Sequence, residues 1–287
     1  MRVLLTGATG YLGGWIQAEL ARQHDVICAV RPEHESALSG ETIAWDLTGP
    51  LPATMPKVDT IVHAAQSRHY TAFPDGAEDA FAVNCASTAR LLDFAAQSGV
   101  ERFCYISSGS VYEPYGGDLD ETSALAPNSL NGTTKLAAET LTRAYDGLMA
   151  VSRLRLFFPY GPGQTGRMVP GLINRIASGE AVTLSGENGL EFSPLYAADI
   201  AKVVASAVAD SWRGTMNVEG PETTHLRSFA ETIGELLGQS PVFDVKDADS
   251  PRIVAPMARL KSRFAVETMT GVRAGLELTL NRGDAAK

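Results

Sequence analysis

A doubly wound α/β architecture, with a parallel sheet in the first half of the chain and a smaller C-terminal lobe, is predicted by three observations. Short apolar runs alternate with helical segments from the first residues onward, the first run ends in a glycine-rich turn, and the alternation loosens from about Tyr160. At 287 residues, 45% hydrophobic and 20% charged, the chain can bury a substantial core, as one large domain or as two unequal lobes.

Arg2-Val-Leu-Leu-Thr6 is an apolar run of the kind a parallel strand needs when both its faces are covered, and about Leu12 to Gln23 reads as a helix. His24 to Val30 is the next strand. Thr60-Ile-Val-His63, Arg102-Phe-Cys-Tyr-Ile106 and Ala150 to Leu156 follow, with helices near Ala77 to Ser98 and Gly132 to Tyr145 between them. Right-handed crossovers in such a series place a ligand crevice at the carboxyl ends of the strands. Beyond Gly161-Pro-Gly163 come a helix around Val169 to Ser178, a Gly-rich polar loop from Ser185 to Ser193 and a helix from Ala198 to Ala209 expected to pack back on the core. Leu226 to Leu237 then has helical periodicity that Gly238 ends. The expected division is 1–160, 161–280 and a disordered tail, 281–287, with no internal repeat.

A formal charge of −9 and a pI near 5.1 argue against a nucleic-acid or anionic-membrane surface, either of which such a field repels. Cys28, Cys85 and Cys104 are widely spaced in apolar stretches and read as buried reduced thiols, and no Cys or His pair has metal-ligand spacing. With a strand beginning at Arg2 and no apolar run near the roughly 20 residues of a membrane span, no leader and a cytoplasmic location are expected.

The first strand runs into Thr6-Gly7-Ala8-Thr9-Gly10-Tyr11-Leu12-Gly13. Glycines so placed let the backbone turn tightly and bring a pyrophosphate to a helix N-terminus, the signature of a Rossmann unit that holds a dinucleotide. The second strand of such a unit usually ends in an acid for the ribose 2′-hydroxyl. Here it reads Ala29-Val30-Arg31-Pro32, which favours NADP over NAD, with Arg31 either paired to a 2′-phosphate or solvated on the surface. Asp46 and Leu47, after a short third strand, could meet the adenine, Asp46 being equally readable as a helix cap. His63-Ala64-Ala65 ends the next strand in small residues that let a flat ligand pass close to the backbone, and His63 itself reads as a satisfied buried imidazole.

These segments, with Asn84 and Thr88, Tyr105-Ile-Ser-Ser-Gly-Ser-Val-Tyr112, Lys135-Leu-Ala-Ala-Glu139, Tyr160-Gly-Pro-Gly163 and Asp199-Ile-Ala201, stand in the order found in the extended short-chain dehydrogenase/reductases, the NAD-dependent epimerase/dehydratase family, which the chain resembles over most of its length. The resemblance implies a dinucleotide-binding domain, a substrate lobe, and an NAD(P)-dependent oxidoreductase, epimerase or dehydratase acting on a sugar nucleotide or another small alcohol or carbonyl. It places Ser108 at the catalytic serine and Lys135 at the lysine, which also holds the cofactor ribose. The tyrosine position is Asn131. A carboxamide hydrogen-bonds but cannot act as a general acid or base, so either another donor serves (Tyr112, Tyr160, Tyr196, or His69 with Tyr70) or the protein binds without turnover. The family's substrate-holding Asn and Arg correspond to Phe158 and Phe192, with Glu191 adjacent and Arg167 or Arg175 as distant substitutes. Relatives also pair the helices corresponding to 77–98 and 132–145 across a two-fold, which implies a homodimer.

Overall fold

The computed structural model describes residues 1–38, 40–117 and 119–281. In chain order the first elements are β1 (Arg2–Thr6), α1 (Tyr11–Leu20), β2 (Asp25–Val30), β3 (Glu41–Ala44), β4 (Thr60–His63), α2 (Ala77–Phe81), α3 (Ser87–Ser98), β5 (Arg102–Ser108), α4 (Leu130–Arg143) and β6 (Ala150–Leu156). They continue with β7 (Pro159–Tyr160), α5 (Met168–Ala177), β8 (Val182–Ser185), β9 (Glu191–Phe192), β10 (Leu195–Tyr196), α6 (Ala197–Ala209) and β11 (Gly214–Val218). The last are β12 (Thr224–His225), α7 (Leu226–Leu237), β13 (Phe243–Lys246), β14 (Arg252–Ile253), α8 (Ala258–Lys261) and α9 (Val272–Asn281).

Seven strands form one sheet in the order β11-β6-β5-β4-β1-β2-β3, and every pairing from β3 across to β6 is parallel. This is the predicted doubly wound sheet. Strand order reverses between β1 and β4, so their carboxyl ends, Thr6 and His63, flank the crevice where ligands of such sheets bind. Burial explains the composition: Val3, Leu4 and Leu5 are wholly inaccessible, and all seven residues of β6 are buried, Arg153 and Arg155 included.

Two compact units share the chain. The first comprises residues 1–114, 121–156 and 200–217, the second 115–120, 157–199 and the described residues from 218. In the first, Leu4, Ile27, Ile61, Leu91, Phe103 and Val151 form the core. In the second, Tyr160, Leu172, Phe192, Phe229, Ile233 and Leu276 do so, beside the small parallel pairs β7 with β10 and β8 with β13.

Several boundaries differ from expectation. The helix expected over 77–98 is interrupted by a π-helical turn at Ala82–Ala86, and the helix expected from Gly132 begins at Leu130, capped by Ser129, whose Oγ accepts from Gly132 N at 3.0 Å. Gly238 ends α7 with a φ of 66°, as expected. Asn281, assigned to the tail, is the last residue of α9, and residues 282–287 lie outside the described residues. Asp46 caps no helix; its Oδ1 accepts from Thr48 N at 3.0 Å and Thr48 Oγ1 at 2.9 Å, closing a local turn.

Candidate functional site

The glycine turn is closed against the neighbouring backbone. Gly7 has a φ of 77°, and a Cβ there would lie 2.7 Å from Ala65 N; a Cβ on Gly13 would lie 1.9 Å from Gly7 O. No other residue fits either position without displacing β4 or α1. Gly10 N donates to Gly7 O at 2.9 Å and opens α1 without a side-chain cap, and no acid lies in the first turn. The amides of Tyr11, Leu12 and Gly13 therefore begin a helix whose positive end has no carboxylate of its own, with Thr9 exposed beside it. This cradle fits a dinucleotide pyrophosphate.

Around it, Leu47 is half-buried against the core, and Asp46 is exposed with Oδ1 engaged by Thr48. Arg31 Nε lies 3.3 Å from Glu33 Oε1, and its Nη2 lies 3.0 Å from His34 Nε2. The guanidinium is thus already matched to a carboxylate on the turn that follows β2.

His63 is the satisfied core residue the sequence suggested. Ala65 N donates to Thr6 Oγ1 (3.3 Å), Thr6 Oγ1 donates to His63 Nδ1 (2.6 Å), His63 Nε2 donates to Thr88 Oγ1 (2.9 Å), and Thr88 Oγ1 donates to Asn84 O (2.7 Å). This order fixes the Nε2–H tautomer. Burial, assisted by the charge of Lys135, pushes the imidazole pKa down to about 3, so His63 is neutral and what it offers a ligand is the backbone running into Ala64 and Ala65.

β5 and α4 carry the remaining positions. Lys135 is buried, donates from Nζ to Ile106 O at 2.8 Å and lies 5.1 Å above the Tyr105 ring, and burial lowers its pKa to about 8. Ser108 Oγ is 2.7 Å from Ser110 Oγ, Asn131 Nδ2 donates to Ser110 Oγ at 2.7 Å, and Gln66 Nε2 donates to Asn131 Oδ1 at 3.3 Å. The structure therefore brings Ser108 and Asn131 together through Ser110, with Gln66 bonded to the other end of the Asn131 amide; Ser110 and Gln66 are two residues sequence reasoning missed. Ser110 stands inside the quoted Tyr105 to Tyr112 segment and Gln66 directly after Ala65, and adjacency to a motif was the available signal.

A second missed feature lies under α4. Glu139, fully buried, accepts from Ser107 Oγ (2.5 Å), Arg155 Nε (3.0 Å) and Arg155 Nη2 (2.7 Å). Arg155 Nη1 donates to Tyr112 Oη at 2.6 Å, and Tyr112 Oη donates to Asn217 Oδ1 at 2.9 Å. Tyr112, considered above as a replacement proton donor, is thereby committed to structure, and burial raises its pKa. His69 is exposed and Tyr70 half-buried in the loop after β4.

In the second unit Tyr160 and Tyr196 are buried in the local core, their rings 5.7 Å apart. Phe158 has a left-handed φ of 42°, an outlier for a bulky side chain, and its ring meets that of buried Phe192 at 5.0 Å. Glu191 pairs with Arg252 at 3.2 Å, and Arg175 donates to Ala181 O at 3.3 Å. No cluster of three potential metal ligands occurs among the described residues, and none of their helices is long and apolar enough to cross a membrane.

The sequence model of the NAD dependent epimerase/dehydratase family matches residues 3–218. An uncharacterized UDP-glucose epimerase of Bacillus subtilis is 25% identical over 305 residues, covering 96% of each chain. The dTDP-4-dehydrorhamnose reductase of Mycobacterium tuberculosis is 27% identical over 266 residues, covering 88% of this chain and 78% of the relative. Among solved structures, UDP-glucuronic acid 4-epimerase from Bacillus cereus in complex with NAD superposes with a TM-score of 0.83 at 20% identity, over 98% of this chain and 96% of that one. MoeE5 in complex with UDP-glucuronic acid and NAD superposes with a TM-score of 0.82 at 26% identity over 100% of both.

Proposed function

The chain belongs to the NAD dependent epimerase/dehydratase family, and we propose that it holds a nicotinamide dinucleotide in the Gly7 to Gly13 turn and oxidises or reduces a sugar nucleotide, or another small alcohol or carbonyl, without a tyrosine at the acid/base position. The observation that carries this reading is the cradle, in which a Cβ at Gly13 would fall 1.9 Å from Gly7 O. The dinucleotide, when bound, supplies the hydride acceptor or donor. The amides of α1 hold its pyrophosphate, Lys135 its ribose, and Asp46 with Leu47 its adenine, while Ser108 polarises the substrate oxygen. The second unit is proposed as the substrate lobe. The test is a fluorescence titration with NADPH and NADH, followed by hydride exchange from labelled cofactor with UDP-glucose and with a simple ketone. Binding followed by exchange supports the reading; binding of neither cofactor removes it.

A second reading, a dinucleotide-binding protein without turnover, is favoured by the wholly neutral array of Ser108, Ser110, Asn131 and Gln66. Asn131→Tyr separates the two, creating activity from nothing in this case and altering an existing activity in the other.

Arg31 is proposed to select NADP, a 2′-phosphate replacing Glu33 on its fork. Arg31→Ala should then weaken NADPH binding by about tenfold or more and leave NADH binding unchanged, since a charged hydrogen bond contributes ~1.5–3 kcal/mol. Equal binding of the two cofactors by the unaltered protein, or an unchanged NADPH affinity in Arg31→Ala, means that Arg31 does not select the cofactor. We propose further that the protein is a homodimer paired through the helical segments at 77–98 and 132–145, and a cytoplasmic protein, in keeping with the buried free thiols of Cys28, Cys85 and Cys104.

A further inference from the structure

The serine and asparagine hydroxyl and amide groups at the end of β5 and the start of α4 form a chain whose protons can be traced, because a hydroxyl has one proton to give. Gln66 Nε2 donates to Asn131 Oδ1 at 3.3 Å, which occupies the carbonyl oxygen and turns the amide nitrogen toward Ser110. Asn131 Nδ2 then donates to Ser110 Oγ at 2.7 Å. Ser110 Oγ lies 2.7 Å from Ser108 Oγ, a bond that either hydroxyl can give. Ser110 N also donates to Ser108 Oγ, at 3.1 Å. When Ser110 gives the proton of the first bond, Ser108 Oγ accepts twice and its own proton is left for a ligand.

We infer that Asn131 is a positioning residue: acting through Ser110, it turns the Ser108 hydroxyl proton outward and makes Ser108 a fixed donor for a substrate acceptor oxygen, a carbonyl or an alkoxide. Ser108, Ser110 and Asn131 are each half-buried, so the donor is reachable while its supports are held. A phenol at residue 131 could give or accept a proton; the amide nitrogen only donates, so the polarity of the chain is constant. An oxygen that must itself donate is disfavoured at this point, and a ketone, aldehyde or alkoxide is favoured. The chemical use of this donor rests on the hydride-exchange reading above; its orientation does not.

Neutron diffraction from deuterium-exchanged crystals of the intact chain tests the orientation without any substrate. The expected result is a deuteron on Ser108 Oγ directed away from Ser110 and the Asn131 amide deuterons directed at Ser110. A Ser108 deuteron directed at Ser110 Oγ overturns the proposal. The functional arm uses Asn131→Asp and Ser110→Ala with UDP-glucose and whichever of NADP and NAD the unaltered protein binds more tightly. An ionised carboxylate accepts from Ser110 and reverses the chain, so Asn131→Asp should lower kcat about a hundredfold with the KM for that cofactor unchanged. Activity should return as the pH falls and the new carboxyl protonates, because a carboxylic acid donates as the amide does. The charged and titratable side chains packed around this array, Lys135, Glu139, His63, Cys85 and Tyr105, are the same in both proteins, so the unaltered protein is the control for that profile. A loss in Asn131→Asp that no pH restores overturns the positioning role. An unaltered protein inert toward UDP-glucose counts against the hydride-exchange reading, and the neutron result decides the orientation on its own.

Discussion

His63 must stay neutral in the folded chain, its pKa held at about 3, whereas in the unfolded chain it protonates near 6.5. Between these values the unfolded state binds more protons, so stability falls as the pH is lowered through that window. Buried Glu219, its carboxyl raised to about 7, contributes with the opposite sign over the same range, so the His63 effect is read as a difference: on going from pH 7 to 5 the urea midpoint of the unaltered protein should fall relative to that of His63→Gln. Lys135 contributes with the same sign as His63 at higher pH: its pKa is lowered from 10.5 to about 8, so its own contribution favours folding increasingly from about 8 toward 10.5, against the opposite contribution of the buried thiols Cys28 and Cys104, raised to about 11 and about 12. The Glu139–Arg155 pair makes a different prediction, because both side chains are wholly inaccessible. Glu139→Gln leaves a buried guanidinium without its counter-charge and should cost ~3–5 kcal/mol in urea denaturation, while Glu139→Leu combined with Arg155→Met should cost less. Neither partner was singled out from the sequence for that bond, since an arginine inside an apolar strand and a glutamate on a helix show their pairing only when the fold joins them.

At the scale of elements, the turn from β1 into α1 was the most legible part of the chain because its requirements are local. Gly7, Gly10 and Gly13 sit in one short segment, and spacing alone states where a Cβ is forbidden. Gly13→Ala, with its Cβ directed at Gly7 O, should abolish NADH binding in the fluorescence titration while the sheet still forms. Ser129→Ala removes the α4 cap and should cost ~1 kcal/mol, measured by urea denaturation. The array around Asn131 was not legible in the same way. Its members, Gln66, Ser108, Ser110 and Asn131, come from two strand ends and a helix start, and no periodicity relates them. The π-helical turn at Ala82–Ala86 escaped for another reason: one extra residue in a turn barely disturbs a helical hydrophobic period, yet it accompanies the bonds that Asn84 Oδ1 accepts from Ser67 N (2.9 Å) and Asn84 Nδ2 gives to Thr134 Oγ1 (2.9 Å).

For the whole molecule, the proposed dimer gives a direct measurement. Phe81 on α2 is 62% exposed and Leu141 on α4 is 37% exposed, apolar side chains on the two helical segments expected to pair. Phe81→Glu with Leu141→Glu should shift the sedimentation mass from dimer to monomer at micromolar concentration, whereas a monomeric unaltered protein removes the dimer. The seven-stranded sheet has a consequence for synthesis. Residues up to Leu156 supply six of its strands, but β11, the neighbour of β6, comes from residues 214–218, after the intervening stretch has emerged from the ribosome. Until then β6, all of whose residues are buried in the finished fold, is an open edge on the nascent chain. Translation that pauses between those points holds a sticky intermediate in the cell, and this is the interval in which a chaperone has most to protect.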